Sequence, residues 1–177
     1  MPAFTRHNVP RNSLQKILAV LAALLLAACA TPPAPPKATV DFDRNYHFTR
    51  VHKIAIQPVP KDTLATMMIS DAQIVRISDA LRTELRRRGF EVVPDNAQAD
   101  IFLSWKLLPE SSYSSDAAQT LVQGALYVTM IDPLMLQSVW RASFHTDLRD
   151  QPETAEAAQY RAAAAQAILA QFPPVTP

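Results

Sequence analysis

Between residues 70 and 107 the hydrophobic period changes from helical to alternating, and that change limits the fold more than any other feature of the chain. From Ser70 to Arg88, Ile74, Ile77, Leu81 and Leu85 recur at spacings of three and four, while Arg76, Asp79, Arg82, Arg86 and Arg87 lie largely off that stripe. From Ile101 to Leu107 the period is two: Ile101, Leu103, Trp105 and Leu107 share one side, and Phe102, Ser104 and Lys106 the other. A helix with one apolar stripe and a strand with one apolar side must each find a partner layer, so helix packed on sheet is predicted. The helix ends agree. Ser70 or Asp71 suits the N-cap, Arg86 to Arg88 complement the carboxyl-terminal dipole, and Gly89 is placed for a left-handed closing turn.

The other segments fit the same layering. Val40 to Phe42 and Tyr46 to Phe48 read as a short or broken first strand. Lys53 to Val59 alternates, with Ile54 and Ile56 on one face and Lys53 and Gln57 on the other, and Pro58 and Pro60 end that strand or put it at a sheet edge. Phe90 to Val93 is a further strand, and residues 109–123 form a polar, serine-rich loop. Ala125 to Ile131 and Gln137 to Thr146 make a hairpin around Asp132-Pro133-Leu134-Met135, with Pro133 at the second turn position. In the return strand Trp140, Ala142 and Phe144 face one way, and Arg141, Ser143, His145 and Asp147 the other. Glu153 to Gln171 is an alanine-rich helix stopped by Pro173-Pro174, with Tyr160, Ala164, Ala167, Ile168 and Phe172 on its buried side. The class is α+β: a two-layer domain with a mostly antiparallel β-sheet and two helices packed on one face.

The amino terminus is of another kind. Met1 to Lys16 carries Arg6, Arg11 and Lys16 with no acid, Ile17 to Leu26 is an unbroken apolar run, and Ala27-Ala28-Cys29 follows. That order describes an export signal, and the run is too short to span a bilayer, which needs about 20 apolar residues. Arg6 and Arg11 stand apart, which argues against a twin-arginine signal. Leu26-Ala27-Ala28-Cys29 resembles the lipobox of bacterial lipoproteins. The resemblance implies cleavage between Ala28 and Cys29, lipidation of Cys29 by two or three acyl chains, and, with Ala30 next, anchoring at the periplasmic face of the outer membrane. The expected organisation is a signal peptide over residues 1–28, lipidated Cys29 with a proline-rich tether over 29–39, one domain over 40–172 and a tail over 173–177.

Composition closes several routes. Gly89 and Gly124 are the only glycines, so no glycine-rich turn can cradle a phosphate. One cysteine excludes a disulfide framework and a zinc site built from several thiolates. Of 17 basic and 16 acidic side chains, three bases and no acid precede Cys29, so the mature balance is 14 − 16 = −2 and nucleic acid is not an expected partner. Among the histidines, His145 shares a strand face with Asp147 and could join His47 or His52 as metal ligands only if the fold brought them together. Ser111, Ser112, Ser114 and Ser115 lack a nucleophile elbow, and Asp41 and Asp43 flank a strand. No enzyme, cofactor or metal site is expected.

Residues 41–172 resemble the bacterial lipoproteins classed as domain of unknown function 4136. The likeness lies in Asp41-Phe42-Asp43 with Tyr46 and Phe48, in Leu85-Arg86-Arg87-Arg88-Gly89-Phe90, in Ala99-Asp100-Ile101, in Gly124-Ala125-Leu126-Tyr127-Val128 with Ile131-Asp132, and in Val139-Trp140-Arg141-Ala142. Hairpins of that family often turn through a small polar pair containing glycine, whereas Pro133-Leu134-Met135-Leu136 should expose apolar residues at its tip. The resemblance implies no activity. The expected role is that of an anchored, non-enzymatic binding or accessory module for an envelope protein, with oligomeric state left open. Candidate partner-binding residues are Met67 and Met68 in the apolar connector Thr63 to Ile69, and Phe102, Tyr127 and Ile131 on the sheet face away from the helices, where Val139 is expected too. The simpler reading of the connector is that it folds onto the sheet as ordinary core. A second class is a module binding a small apolar ligand or lipid between sheet and helices, which needs an empty apolar cavity.

Overall fold

The computed structural model describes residues 37–62, 64–94, 96–109, 123–147 and 152–174. The expected signal peptide, the Ala28–Cys29 junction, most of the tether and the serine-rich loop lie outside the described residues. Six strands, β1 (Thr39–Phe42), β2 (Lys53–Ile56), β3 (Glu91–Val93), β4 (Ile101–Pro109), β5 (Gln123–Ile131) and β6 (Ser138–Asp147), form one sheet in the order β1-β6-β5-β4-β2-β3. Among the described residues three α-helices accompany them: a single turn α1 (Leu64–Met67), α2 (Asp71–Arg87) and α3 (Ala155–Ile168).

The α+β reading stands, with one departure. The β1, β6, β5 and β4 ladders are antiparallel, but β2 runs parallel to both β3 and β4 and lies between them, not at an edge. Parallel pairing needs a long crossover, and the segment carrying α1 and α2 supplies it between β2 and β3. The chain then returns through a short turn at Asn96–Gln98 to start β4 on the other side of β2. Asp100 pins this junction: its carboxylate accepts from the His52 and Lys53 N–H groups at 2.9 and 2.8 Å, and its own N–H donates to the Lys53 carbonyl. Burial opposes ionisation of Asp100, yet those two backbone donors outweigh it and hold its carboxyl below the ordinary value. Ile54 and Ala55 are both buried, as an internal strand requires.

α2 forms as its caps dictate. Ser70 Oγ accepts from the Gln73 N–H; at the other end Gly89 (φ +92°) donates to the Arg86 carbonyl and Phe90 to that of Leu85, a Schellman closure. The arginines do more than complement the helix dipole: Arg87 and Arg88 both grip the Glu84 carboxylate, at 2.7 and 2.9 Å, and Arg88 also donates to the Phe172 carbonyl at 3.0 Å.

The core is the layer between the helices and one sheet face. Ile101, Leu103, Trp105 and Leu107 are all buried there, and Trp105 Nε1 donates to Ser78 Oγ on α2 at 3.0 Å. Trp105, Val128 and Ala142 are cross-strand neighbours, so the buried sides of β4, β5 and β6 are one surface. α3 is shorter than its alanine content suggests: Thr154 caps it by accepting from the Ala157 N–H, and it ends at Ile168. Tyr160, expected inside, is exposed, with its ring centroid 6.3 Å from that of Phe144. Glu153, just before the helix, accepts from Arg161 and pairs with Arg76 at 3.0 Å, tying α3 to α2.

Candidate functional site

Among the described residues the long helices lie on one sheet face, and the other carries the candidate residues in register. Phe102 of β4 pairs with Ile131 of β5, both half-buried. The next rung on this side runs Ser104, Thr129, Arg141, Asp41, and the one after it Lys106, Tyr127, Ser143, Thr39. Arg141 and Asp41 pair at 3.1 Å in full exposure, a contact of small energetic weight. The face is thus apolar at the end nearest the β5–β6 turn, polar over the next two rungs, and mixed at Leu108, Ala125 and His145. Tyr127 stands exposed among the polar rungs.

Val139 departs from the expectation that it joins this surface. It is 2% exposed, its carbonyl accepts from the Asp43 N–H at 2.8 Å, and the ladder is irregular between Met130 and Ile131, so plain alternation fails there. The apolar connector divides: Thr66 and Ile69 are buried, whereas Met67 and Met68 point to solvent. The segment therefore packs part of itself into the core and leaves its two methionines exposed.

The β5–β6 turn is the most exposed apolar feature among the described residues. Leu134, Met135 and Leu136 are 92%, 58% and 74% exposed. Asp132, itself buried, builds the turn from within: its Oδ1 accepts from the Leu134 and Met135 N–H groups, both at 2.8 Å, and its carbonyl from that of Leu136 at 2.9 Å. Pro133 follows as the turn begins, and Leu136 takes a positive φ of 53°. Tyr46 donates to the same Asp132 carboxylate, and burial first, then the Asp132 charge and that hydrogen bond, then the Asp100 charge, push its phenol up to about 12. Asp132→Ala is expected to cost about 2 kcal/mol, the scale of removing a charged acceptor from several hydrogen bonds. In the same variant Tyr46 should titrate lower without returning to its ordinary value, because burial remains. Urea denaturation and phenolate absorbance check the two effects.

Other sites are less equipped. Among the described residues no three His, Cys, Asp or Glu side chains stand close enough to hold a metal ion. His145 lies on the sheet face away from the described helices, opposite Ala125, while His52 precedes β2. Between α2, α3 and the sheet there is a cavity of about 50 Å³ lined by Ile77, Leu81, Leu107, Leu126 and Phe144, with Gln73 in its wall. By the measure in which about 150 Å³ admits benzene, it takes water and not an acyl chain. Gln73 Oε1, buried without a protein partner, suits a water there.

The family model described as Domain of unknown function (DUF4136) matches residues 38–174. No curated protein matches the chain. Among solved structures, a PDZ domain protein from Parabacteroides distasonis superposes with a TM-score of 0.48 at 15% identity; the match covers 80% of this chain but only 36% of that one, little more than a third of its length. The PelC dodecamer from Paraburkholderia phytofirmans gives 0.45 at 17%, covering 75% and 96%. A DUF4136 family protein from Bacteroides thetaiotaomicron gives 0.44 at 11%, covering 78% and 94%. At these TM-scores none of the three bears on function.

Proposed function

The chain belongs to the family described as Domain of unknown function (DUF4136), and on that footing we propose that it is a lipid-anchored, non-enzymatic binding module that docks an envelope protein through the open face of its sheet. Acyl chains on Cys29 hold it at the periplasmic face of the outer membrane. What supports docking is the sheet face away from the described helices: across β4, β5 and β6 it presents Phe102, Ile131 and Tyr127 in register with serine, threonine, lysine and arginine side chains. An aromatic group among hydrogen-bonding side chains, with charge at the margin, is the composition from which protein interfaces are made. The anchor is supported by the basic, apolar and small-residue order that ends at the lone cysteine.

Cys29→Ala is expected to move the chain from the membrane pellet to the soluble fraction while the domain stays folded; retention in the pellet would sink the anchor. Docking is tested by photoreactive side chains placed at Tyr127 and Phe102 in cells, with Gln166 on the exposed side of α3 as the control. Discrete adducts from the sheet positions and none from Gln166 are expected. If neither sheet position yields an adduct above the control, the docking face is wrong.

A further inference from the structure

We propose that the β5–β6 turn is a membrane-contacting finger: Leu134, Met135 and Leu136 enter the interface of the bilayer to which Cys29 anchors the chain. The proposal rests on the anchor described above and adds a second, non-covalent contact with the same membrane. Three features of the turn select a lipid surface. From Pro133 to Trp140 the sequence carries no charge, and Asp132, the acid just before it, is turned inward. The N–H groups of Leu134, Met135 and Leu136 all donate to Asp132, so the tip can leave water without stranding these backbone donors, the condition that an apolar medium imposes. The side chains left outside are apolar and contiguous, as an interfacial contact requires.

Reach agrees. Thr39, where the tether joins the sheet, lies opposite Ser143, and the turn end of β6 at Ser138 is 143 − 138 = 5 residues away, roughly 17 Å along the strand. Cys29 and Thr39 are 39 − 29 = 10 residues apart, a chain that can extend to about 35 Å. The anchor is therefore long enough for the tip and the acyl chains to share one membrane surface. A second copy of the chain is a poorer occupant, because three side chains on a turn fall far short of the roughly 1,200 Å² that a stable interface buries.

The test uses the full lipidated protein reconstituted in phosphatidylethanolamine and phosphatidylglycerol vesicles, with an environment-sensitive fluorophore on Leu134→Cys or, as control, on Gln166→Cys. Both positions are exposed, so neither substitution touches the core. Flotation of the vesicles reads the anchor separately from the finger. The expected result is co-flotation of both proteins, with blue-shifted emission, quenching by lipid-borne nitroxide and protection from iodide at Leu134→Cys only. Co-flotation with Leu134→Cys as open to iodide as the control overturns the finger and leaves the anchor standing. Protection from iodide without nitroxide quenching, the signature of contact between copies, overturns it too. Failure to float removes the anchor and the finger with it.

Discussion

Phe172→Ala is expected to destabilise the domain by about 3–5 kcal/mol, the range for truncating a fully buried aromatic ring. Phe172 follows α3 rather than belonging to it, yet its ring is inaccessible and meets those of Trp140, Phe90 and Phe48, with centroids 5.3, 5.4 and 6.0 Å away. Those three rings come from β6, from the exit of α2 and from the short 3-10 turn at Phe48–Arg50. Its backbone is held as well, since its N–H donates to the Leu169 carbonyl and its own carbonyl accepts from Arg88. The ring thus closes four chain segments onto one another, and removing it leaves a hole that none of them can fill without releasing another. Phe172→Leu, which keeps most of the volume, should cost under about 1.5 kcal/mol. Urea denaturation of the two variants checks this; a loss under about 1.5 kcal/mol for Phe172→Ala as well would mean that the aromatic cluster is not what holds the tail.

Glu84→Gln should cost about 2–3 kcal/mol at neutral pH, because a charged acceptor of several hydrogen bonds is replaced by a neutral amide. Glu84 is 5% exposed and holds both Arg87 and Arg88. The hydrogen bond from Arg87 is the chief reason its carboxyl lies below the ordinary value; burial opposes this, and the Arg88 bond and both guanidinium charges reinforce it. A folded value below the unfolded one means stability that is complete above the unfolded carboxyl value, near 4.3, and is lost as pH falls through the folded value. The gap between the native protein and Glu84→Gln should therefore narrow in acid below about pH 4 and stay constant above pH 6. Denaturant midpoints measured across that range decide it, and a gap that does not change with pH would assign the cost to packing instead.

Local signals were legible in the sequence. Ser70, the four apolar positions of α2 and Gly89 set a helix whose ends fall where the structure has them, and alternation from Ile101 to Leu107 assigned every side chain of that strand to its observed face. The tip of the hairpin was readable for the same reason, since Pro133-Leu134-Met135-Leu136 has no way to bury itself within a turn. Partner choice between distant segments left no such trace. Nothing within Lys53 to Ile56 says that its neighbours are β3 and β4 in parallel, and Ala55 is too small for its burial to register as a hydrophobic signal. Val139 and Tyr160 erred in opposite directions: an irregular ladder has no residue type of its own to announce that Val139 is buried, and Tyr160 is on the sheet side of its helix, beside Phe144, but at the margin of the layer. Glu84 was invisible because a glutamate on a charged helix flank reads as solvated until Arg87 and Arg88 are seen to fold over it.

The strand at the amino-terminal end of the domain is an edge strand of four residues, paired along one side only, with β6, among the described residues. Any pull transmitted along the chain from the amino-terminal side enters the fold at Thr39 and is borne first by the rungs that end at Phe42 and Trp140. A pull in line with the strand loads all of these rungs together, whereas a pull away from the sheet opens them one at a time, beginning with Thr39 and Ser143. Losing β1 would break only the four rungs to β6 and none of the β4–β5–β6 ladders, and it would turn β6 from an inner strand into an edge.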